Sequence, residues 1–153
     1  MVLFLDFDGV LHPYPCPVEQ YFCRRQLLEG WLRERPDLDV VISSNWRERR
    51  SLDELRGYFS ADLQSRVIGV TPVLKRQAWA QFDGELPPMR FERETEVKQW
   101  LHGSGEPWRR WAALDDQAWM FGPFCKQLVL CDGAVGLTPH ELGRIDTALA
   151  LRH

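Results

Sequence analysis

The strand candidates of this chain are short and almost entirely apolar, with Arg66 at the start of one of them as the exception. They comprise residues 2–5, 40–42, 66–70, 111–114 and 128–131. A strand with one face in water alternates apolar and polar residues, whereas a strand covered on both faces is apolar throughout. Because helical segments separate these runs, the pattern predicts an α/β fold, with a doubly wound parallel sheet and helices on both faces. We expect residues 1–153 to form a single domain.

Helix signals lie between the strand candidates. Ser51 and Glu54 form a capping box, as do Thr138 and Glu141, and Pro139 stands at the first helical position of the last helix. The predicted helices cover residues 19–35, 51–59 and 94–102, with a last one that begins after residue 138. Residues 71–92 contain three prolines and are predicted to be irregular.

Composition excludes several classes of protein. The chain has 153 residues, 44% of them hydrophobic and 27% charged, which is typical of a globular protein and not of a disordered one. The net charge of −3 gives no overall basic field for nucleic acid. The four cysteines have no CxxC spacing, so a zinc site is not expected. We see no secretory signal or membrane-spanning segment, and expect a cytoplasmic protein with reduced thiols and no membrane partner.

Polar side chains follow three of the predicted strands. Asp6 and Asp8 follow the first, residues 43–45 (Ser-Ser-Asn) follow the second, and Asp115 and Asp116 follow the fourth. In open parallel sheets the functional site lies beyond the carboxyl ends of the strands. Converging carboxylates repel one another unless a cation neutralises them, and oxygen ligands favour Mg²⁺. The sequence therefore predicts a magnesium site at this edge.

The aspartates have three other interpretations. An EF-hand loop needs glycine at its sixth position and glutamate at its twelfth, and the stretch around Asp6 fits neither. Either acidic pair alone could be an ordinary loop or helix cap. A phosphoacceptor receiver domain would place an adjacent acidic pair after the first strand, whereas here the adjacent pair comes last.

Four stretches together resemble the motifs of the haloacid dehalogenase-like (HAD) phosphohydrolases. They are DFDGVLH, then VVISSNWR, then a basic residue that opens a helix, then ALDD, within residues 2–116. The resemblance implies a HAD fold and a phosphatase that works through an aspartyl-phosphate with Mg²⁺ as cofactor.

The resemblance also implies individual roles. Asp6 would be the nucleophile, and Asp8 the general acid and then the general base. Asp6, the backbone carbonyl of Asp8, Asp115 and Asp116 would hold Mg²⁺. A hydroxyl from either Ser43 or Ser44 would bind the phosphoryl group.

The third motif supplies a cation that would neutralise the phosphoryl group and the nucleophile. Arg93 fits its position at the start of a helix. Lys98 is the more usual residue type, but it would lie in the middle of that helix. Both remain candidates at this stage.

The intervals between the motifs are too short for a large cap domain, so the site is expected to be open. The chain resembles most the small capless domains of nucleic-acid repair proteins, which implies a nucleotide or nucleic-acid phosphate end as substrate. Arg47 could contact such a substrate, and Trp46 could either stack on a base or pack at the strand end. Two alternatives remain open: a non-catalytic phosphate-binding or interaction module, and a phosphotransferase with the same fold.

Overall fold

Five parallel strands form one sheet in the computed structural model, which describes residues 1–74 and 91–151. The strands are β1 (Val2–Leu5), β2 (Asp39–Ile42), β3 (Val67–Val70), β4 (Trp111–Asp115) and β5 (Leu128–Leu130). Their order is β3-β2-β1-β4-β5, with β1 in the centre. The predicted α/β class and the parallel sheet are confirmed, and each predicted strand is present to within one residue at either end.

The described residues contain four α-helices, of which the first three lie between strands and the last follows β5. They are α1 (Arg25–Arg33), α2 (Leu52–Arg56), α3 (Glu92–Gly103) and α4 (Pro139–Ala150). Both capping boxes are present, at Ser51 and at Thr138. The prediction of one helix over residues 19–35 is wrong: a 3₁₀ turn (Val18–Gln20) precedes α1, and Phe22 between them has a left-handed φ of 62° that no α-helix accommodates. The second helix is also shorter than predicted, since it ends at Arg56.

The sheet is covered on both faces, as uniformly apolar strands require. Along β1, Leu3 and Leu5 belong to the larger core cluster, whereas Val2 and Phe4 belong to the smaller one. Helices α1, α2 and α4 contribute to the larger cluster, and α3 contributes Val97 and Leu101 to the smaller one. The central strand is therefore fully enclosed, and its carboxyl end opens only at the edge of the sheet.

Within residues 1–74 and 91–151, no cap domain is present, and no helix has both the length and the apolar character needed to cross a membrane. Of the stretch predicted to be irregular, residues 75–90 lie outside the described residues.

We expect Phe4→Ala to destabilise the protein by about 3–5 kcal/mol, because Phe4 is fully buried and packs edge-on against Trp100 and Trp111. Urea unfolding at neutral pH would measure the loss. The matched control is Phe124→Ala, since Phe124 is 90% exposed and its removal should change the free energy of unfolding by less than about 0.5 kcal/mol. Equal losses in the two variants would contradict this account of the core.

Candidate active site

Three carboxylates converge at the carboxyl ends of β1 and β4. Leu5 and Leu114 are register partners in β1 and β4, so Asp6 and Asp115, the next residues, come side by side. One oxygen from each of Asp6, Asp115 and Asp116 lies within 4.8 Å of the others. The structure thus brings together the two acidic stretches that the sequence predicted to meet.

Arg93, near the start of α3, reaches into this carboxylate cluster. Its Nη1 lies 3.8 Å from Asp6 Oδ1 and 3.5 Å from Asp115 Oδ2, and its side chain is 2% exposed. The same guanidinium donates hydrogen bonds to the Ser43 carbonyl and to Asn45 Oδ1. Of the two basic candidates, Arg93 is therefore the one that lies beside the aspartates.

Lys98 lies elsewhere on the same helix. Its side chain is largely exposed and forms an ion pair with Glu94 at 2.5 Å, one turn away. It lines a separate surface cleft together with Phe91 and Phe124. Because α3 turns it away from the sheet edge, Lys98 does not join the aspartates.

Arg47 is an interior residue and does not face the substrate side. Its Nη2 pairs with Glu96 Oε2 at 2.6 Å, and its other nitrogens donate to the carbonyls of Ser43 and Thr71. Glu96 also lies 3.7 Å from Arg93. The position of Arg47 does not support the substrate contact expected from the sequence, because these donors already have buried partners. Glu96, which the sequence analysis missed, links both arginines.

Of the two candidate serines, Ser44 turns its hydroxyl toward the aspartates. That hydroxyl hydrogen-bonds to Asp6 and accepts a hydrogen bond from the Trp46 backbone N–H. The carbonyl of Ser43 is instead the acceptor for Arg47 and Arg93. The sequence could not separate the two serines, because a shift of one residue at a strand end reverses the direction of a side chain.

Asp8 stands apart from the carboxylate cluster and is held by two donors. His12 lies 2.9 Å from Asp8 Oδ1 through its Nε2, and the indole nitrogen of Trp46 donates to both carboxylate oxygens at 3.1 Å. The Asp8 side chain is 30% exposed, whereas His12 is fully buried. The one sequence signal for His12 is its position four residues after Asp8, and no sequence signal indicates the direction of the Trp46 N–H.

An open cleft of about 540 Å³ begins beside Asp8. Aromatic side chains and two exposed arginines line it together, and the guanidinium of Arg50 lies 5.6 Å from the centre of the Trp46 ring. The lining residues are Asp8, Tyr21, Asn45, Trp46, Glu48, Arg49 and Arg50. Trp46 also packs edge-on against Phe7 and Phe22, so it is a packing residue as well as part of the cleft wall.

Burial makes the carboxylate cluster electrostatically unfavourable when it is fully ionised. Burial, and then the neighbouring Asp6 carboxylate, raise the pKa of Asp115 from 3.8 to about 7. Burial also raises the pKa of Asp6, although Arg93, the Phe7 N–H and the Ser44 hydroxyl act in the opposite direction. The pKa of Asp116 is raised for the same two reasons as that of Asp115.

The residues present fit a divalent cation. Asp115 Oδ2 and Asp116 Oδ1 are buried and have no hydrogen-bond partner among the described residues. The site contains four carboxylates and two guanidinium groups: Asp6, Asp115, Asp116 and Glu96, with Arg93 and Arg47. When all six groups are ionised, two negative charges remain uncompensated. A hard divalent cation with oxygen ligands matches this charge.

Two glycines make room for the Asp116 carboxylate. A Cβ on Gly9, which has a φ of 70°, would lie 2.2 Å from Asp116 Oδ2, and a Cβ on Gly133 would lie 2.5 Å from it. Any larger residue at these positions would displace the Asp116 carboxylate.

An α/β domain with an Asp-x-Asp pair after its central strand and a second acidic pair after the neighbouring strand has the architecture of a HAD-like domain. Residues 2–142 match the family described as the HAD domain in Swiss Army Knife RNA repair proteins, and the chain belongs to this family. No curated protein and no solved structure matches the chain. Membership of this family supports a phosphatase-related role, and HAD domains are generally Mg²⁺-dependent.

We expect the metal-free protein to lose stability as pH rises. When folding raises the pKa of a carboxyl, its protonated form stabilises the native state. For Asp115 this contribution is complete below the ordinary pKa of 3.8 and is lost as pH rises through the folded-state pKa of about 7. Asp115→Asn removes the charge, and its stability should exceed that of the wild type by a margin that grows between pH 5 and pH 8. Thermal unfolding in EDTA across that range measures the margin.

Two controls accompany this pH experiment. Asp53→Asn, on an 89% exposed side chain, should follow the wild type. Mg²⁺ should raise the melting temperature of the wild type at pH 8 and have little effect on Asp115→Asn. A stability difference that does not depend on pH would contradict the assigned cause.

Proposed function

We propose that this protein is a Mg²⁺-dependent phosphoric monoester hydrolase that acts on nucleic-acid phosphate ends through an aspartyl-phosphate on Asp6. The observation that carries the proposal is the arrangement around Asp6. Its carboxylate lies among Asp115, Asp116 and Arg93, while Asp8, two residues later, opens onto a cleft. Family membership supports the phosphatase class, and the finer assignments rest on the site.

In the first step, an oxygen of Asp6 attacks phosphorus while the bond to the leaving oxygen breaks. Asp8 gives its proton to that oxygen, so the products are an aspartyl-phosphate and an alcohol. Arg93 and the Ser44 hydroxyl stabilise the negative charge on the phosphoryl oxygens.

In the second step, water attacks the aspartyl-phosphate and Asp8, now a carboxylate, accepts a proton from that water. The bond between phosphorus and Asp6 breaks, which releases inorganic phosphate and restores both carboxyl groups to their starting states.

Asp6, Asp115 and Asp116, with the backbone carbonyl of Asp8, are the groups that would hold Mg²⁺. When bound, this cation supplies electrostatic stabilisation of the charged phosphoryl group. It would also offset the repulsion among the carboxylates, which allows Asp6 to stay ionised as a nucleophile.

The cleft supports a polyanionic substrate. Because Asp8 would protonate the leaving oxygen, the part of the substrate bonded to that oxygen extends into the cleft that begins at Asp8. Arg49 and Arg50 line this cleft and are exposed, so their guanidinium groups can contact a further phosphate. Tyr21 and Trp46 offer aromatic surface beside them. An RNA or DNA end carries both features, whereas a simple sugar phosphate has neither a second phosphate nor a base.

We expect phosphate release from the purified protein to require Mg²⁺ and to be abolished in Asp6→Asn. The panel contains 5′- and 3′-phosphorylated oligonucleotides, mononucleotides, sugar phosphates and a phosphopeptide, each with Mg²⁺ or EDTA. Circular dichroism establishes that Asp6→Asn is folded. If the wild type is folded, binds Mg²⁺ and releases phosphate from no member, the hydrolase proposal fails and a binding module becomes the better interpretation.

The substrate class has its own test. Arg49→Ala/Arg50→Ala should raise the KM for a phosphorylated oligonucleotide roughly tenfold and reduce its salt dependence, with kcat nearly unchanged, because phosphate contacts bind without taking part in the chemistry. Arg110→Ala, an exposed arginine beside the amino end of β4, is the matched control and should behave as the wild type. An unchanged KM in the double variant would exclude these arginines from substrate binding.

A further inference from the structure

We propose that His12 and Trp46 are the positioning residues of Asp8: together they hold its carboxylate in the orientation needed to protonate the leaving oxygen. The inference rests on the proposed function, because it assigns Asp8 the role of general acid, and it gives a role to two side chains that the aspartyl-phosphate chemistry itself does not use.

The tautomer of His12 follows from its partners. The backbone N–H of Phe22 donates to His12 Nδ1 at 3.4 Å, so the proton lies on Nε2, and Nε2 donates to Asp8 Oδ1 at 2.9 Å. The ring is fully buried and stacks on Tyr21, with 4.6 Å between ring centroids. His12 is therefore a fixed donor whose direction is set by the backbone and by packing.

Trp46 provides the second fixed donor. Its Nε1 lies 3.1 Å from both oxygens of Asp8, so the N–H points at the middle of the carboxylate. The indole ring packs edge-on against Phe7, Phe22 and Tyr58 at centroid distances of 5.5–5.8 Å. Rotation of Trp46 away from Asp8 would break this packing.

Two donors on one carboxylate remove most of its rotational freedom. Asp8 is 30% exposed and lines the open cleft, so without these contacts its side chain could rotate into solvent. A general acid must lie within hydrogen-bond reach of the atom it protonates, which makes its orientation part of the catalysis. Both N–H groups keep Asp8 as their acceptor after Asp8 has given its proton to the leaving oxygen and has become a carboxylate.

The test compares two phosphate esters of similar size that differ in their need for an acid. Benzyl phosphate releases an alkoxide that must be protonated, whereas 4-nitrophenyl phosphate releases a phenolate that is stable without a proton. For both esters, kcat/KM covers only the steps up to departure of the leaving group, so hydrolysis of the aspartyl-phosphate does not enter the comparison. Asp8→Asn defines the full effect of losing the acid.

Trp46→Phe keeps an aromatic ring and removes only the N–H. We expect its kcat/KM to fall about 10- to 100-fold for benzyl phosphate. This is at or below the lower end of the roughly 10²- to 10⁴-fold that general acid catalysis contributes, because Asp8 remains present and loses only one of its two donors. The value for 4-nitrophenyl phosphate should stay within about threefold of the wild type, as Asp8 is not needed there. The matched control is Trp31→Phe, which removes an indole N–H that donates to Asp146 in another part of the fold. It should change neither value.

His12 is tested by rescue. In His12→Gln the side-chain amide N–H stands at the position of Nε2, so this variant should retain most of the benzyl phosphate activity. His12→Leu has no donor and should show the selective loss. Thermal unfolding of each variant establishes that it is folded at the assay temperature.

The outcomes separate this inference from the function on which it rests. A selective loss on benzyl phosphate in Trp46→Phe and His12→Leu supports the inference. Equal losses on both esters, or no loss on either, overturn it and leave both side chains as packing residues, with the hydrolase proposal intact. If the wild type turns over neither these esters nor any member of the phosphate panel, the proposed function fails, and this inference with it.

Discussion

Repulsion between carboxylates at the centre of the sheet is the constraint on which this site depends. Parallel pairing of β1 with β4 brings Asp6 beside Asp115, and burial strengthens the repulsion because little water screens it. Arg93 reduces this repulsion. It extends from α3, which covers the face of the sheet opposite α1, α2 and α4, and it lies within 4 Å of both carboxylates. Carboxylates that converge in this way need a cation beside them. Arg93 offsets only part of their negative charge, and a divalent cation can offset the rest.

Arg93 is itself held by a buried ionic network. Glu96 lies one turn along α3 and pairs with Arg47, whose other donors tie the ends of β2 and β3 together through the Ser43 and Thr71 carbonyls. Removal of one member of such a network leaves an uncompensated charge in the interior, which typically destabilises a protein by about 3–5 kcal/mol. The network therefore couples the stability of the sheet edge to the position of Arg93 beside Asp6.

The sequence predicts most of the fold and the identity of the acidic residues, because apolar strands and the carboxyl-end rule are properties of residue order. It does not predict side-chain direction. Arg47 and Lys98 both carry a positive charge and lie in the sequence where a contact with phosphate is expected. In the structure, however, Arg47 points into the interior and Lys98 into solvent. Glu96, His12 and the contact between Trp46 and Asp8 escaped sequence reasoning for the same reason. Their partners lie up to 49 positions away, and only the packed structure fixes which side chain meets which.

Phe7, between the two aspartates of the first motif, anchors the backbone of the site. It is fully buried and contacts Phe22, Trp46, Tyr58 and Phe59, so the backbone from Asp6 to Asp8 is anchored in the hydrophobic core. In the proposed mechanism, the spacing of the nucleophile Asp6 and the acid Asp8 is then set by apolar packing before any substrate arrives. Such a site is preorganised: binding energy from the substrate is not consumed in assembling it, and an enzyme built this way needs no closing domain to bring its reacting groups together.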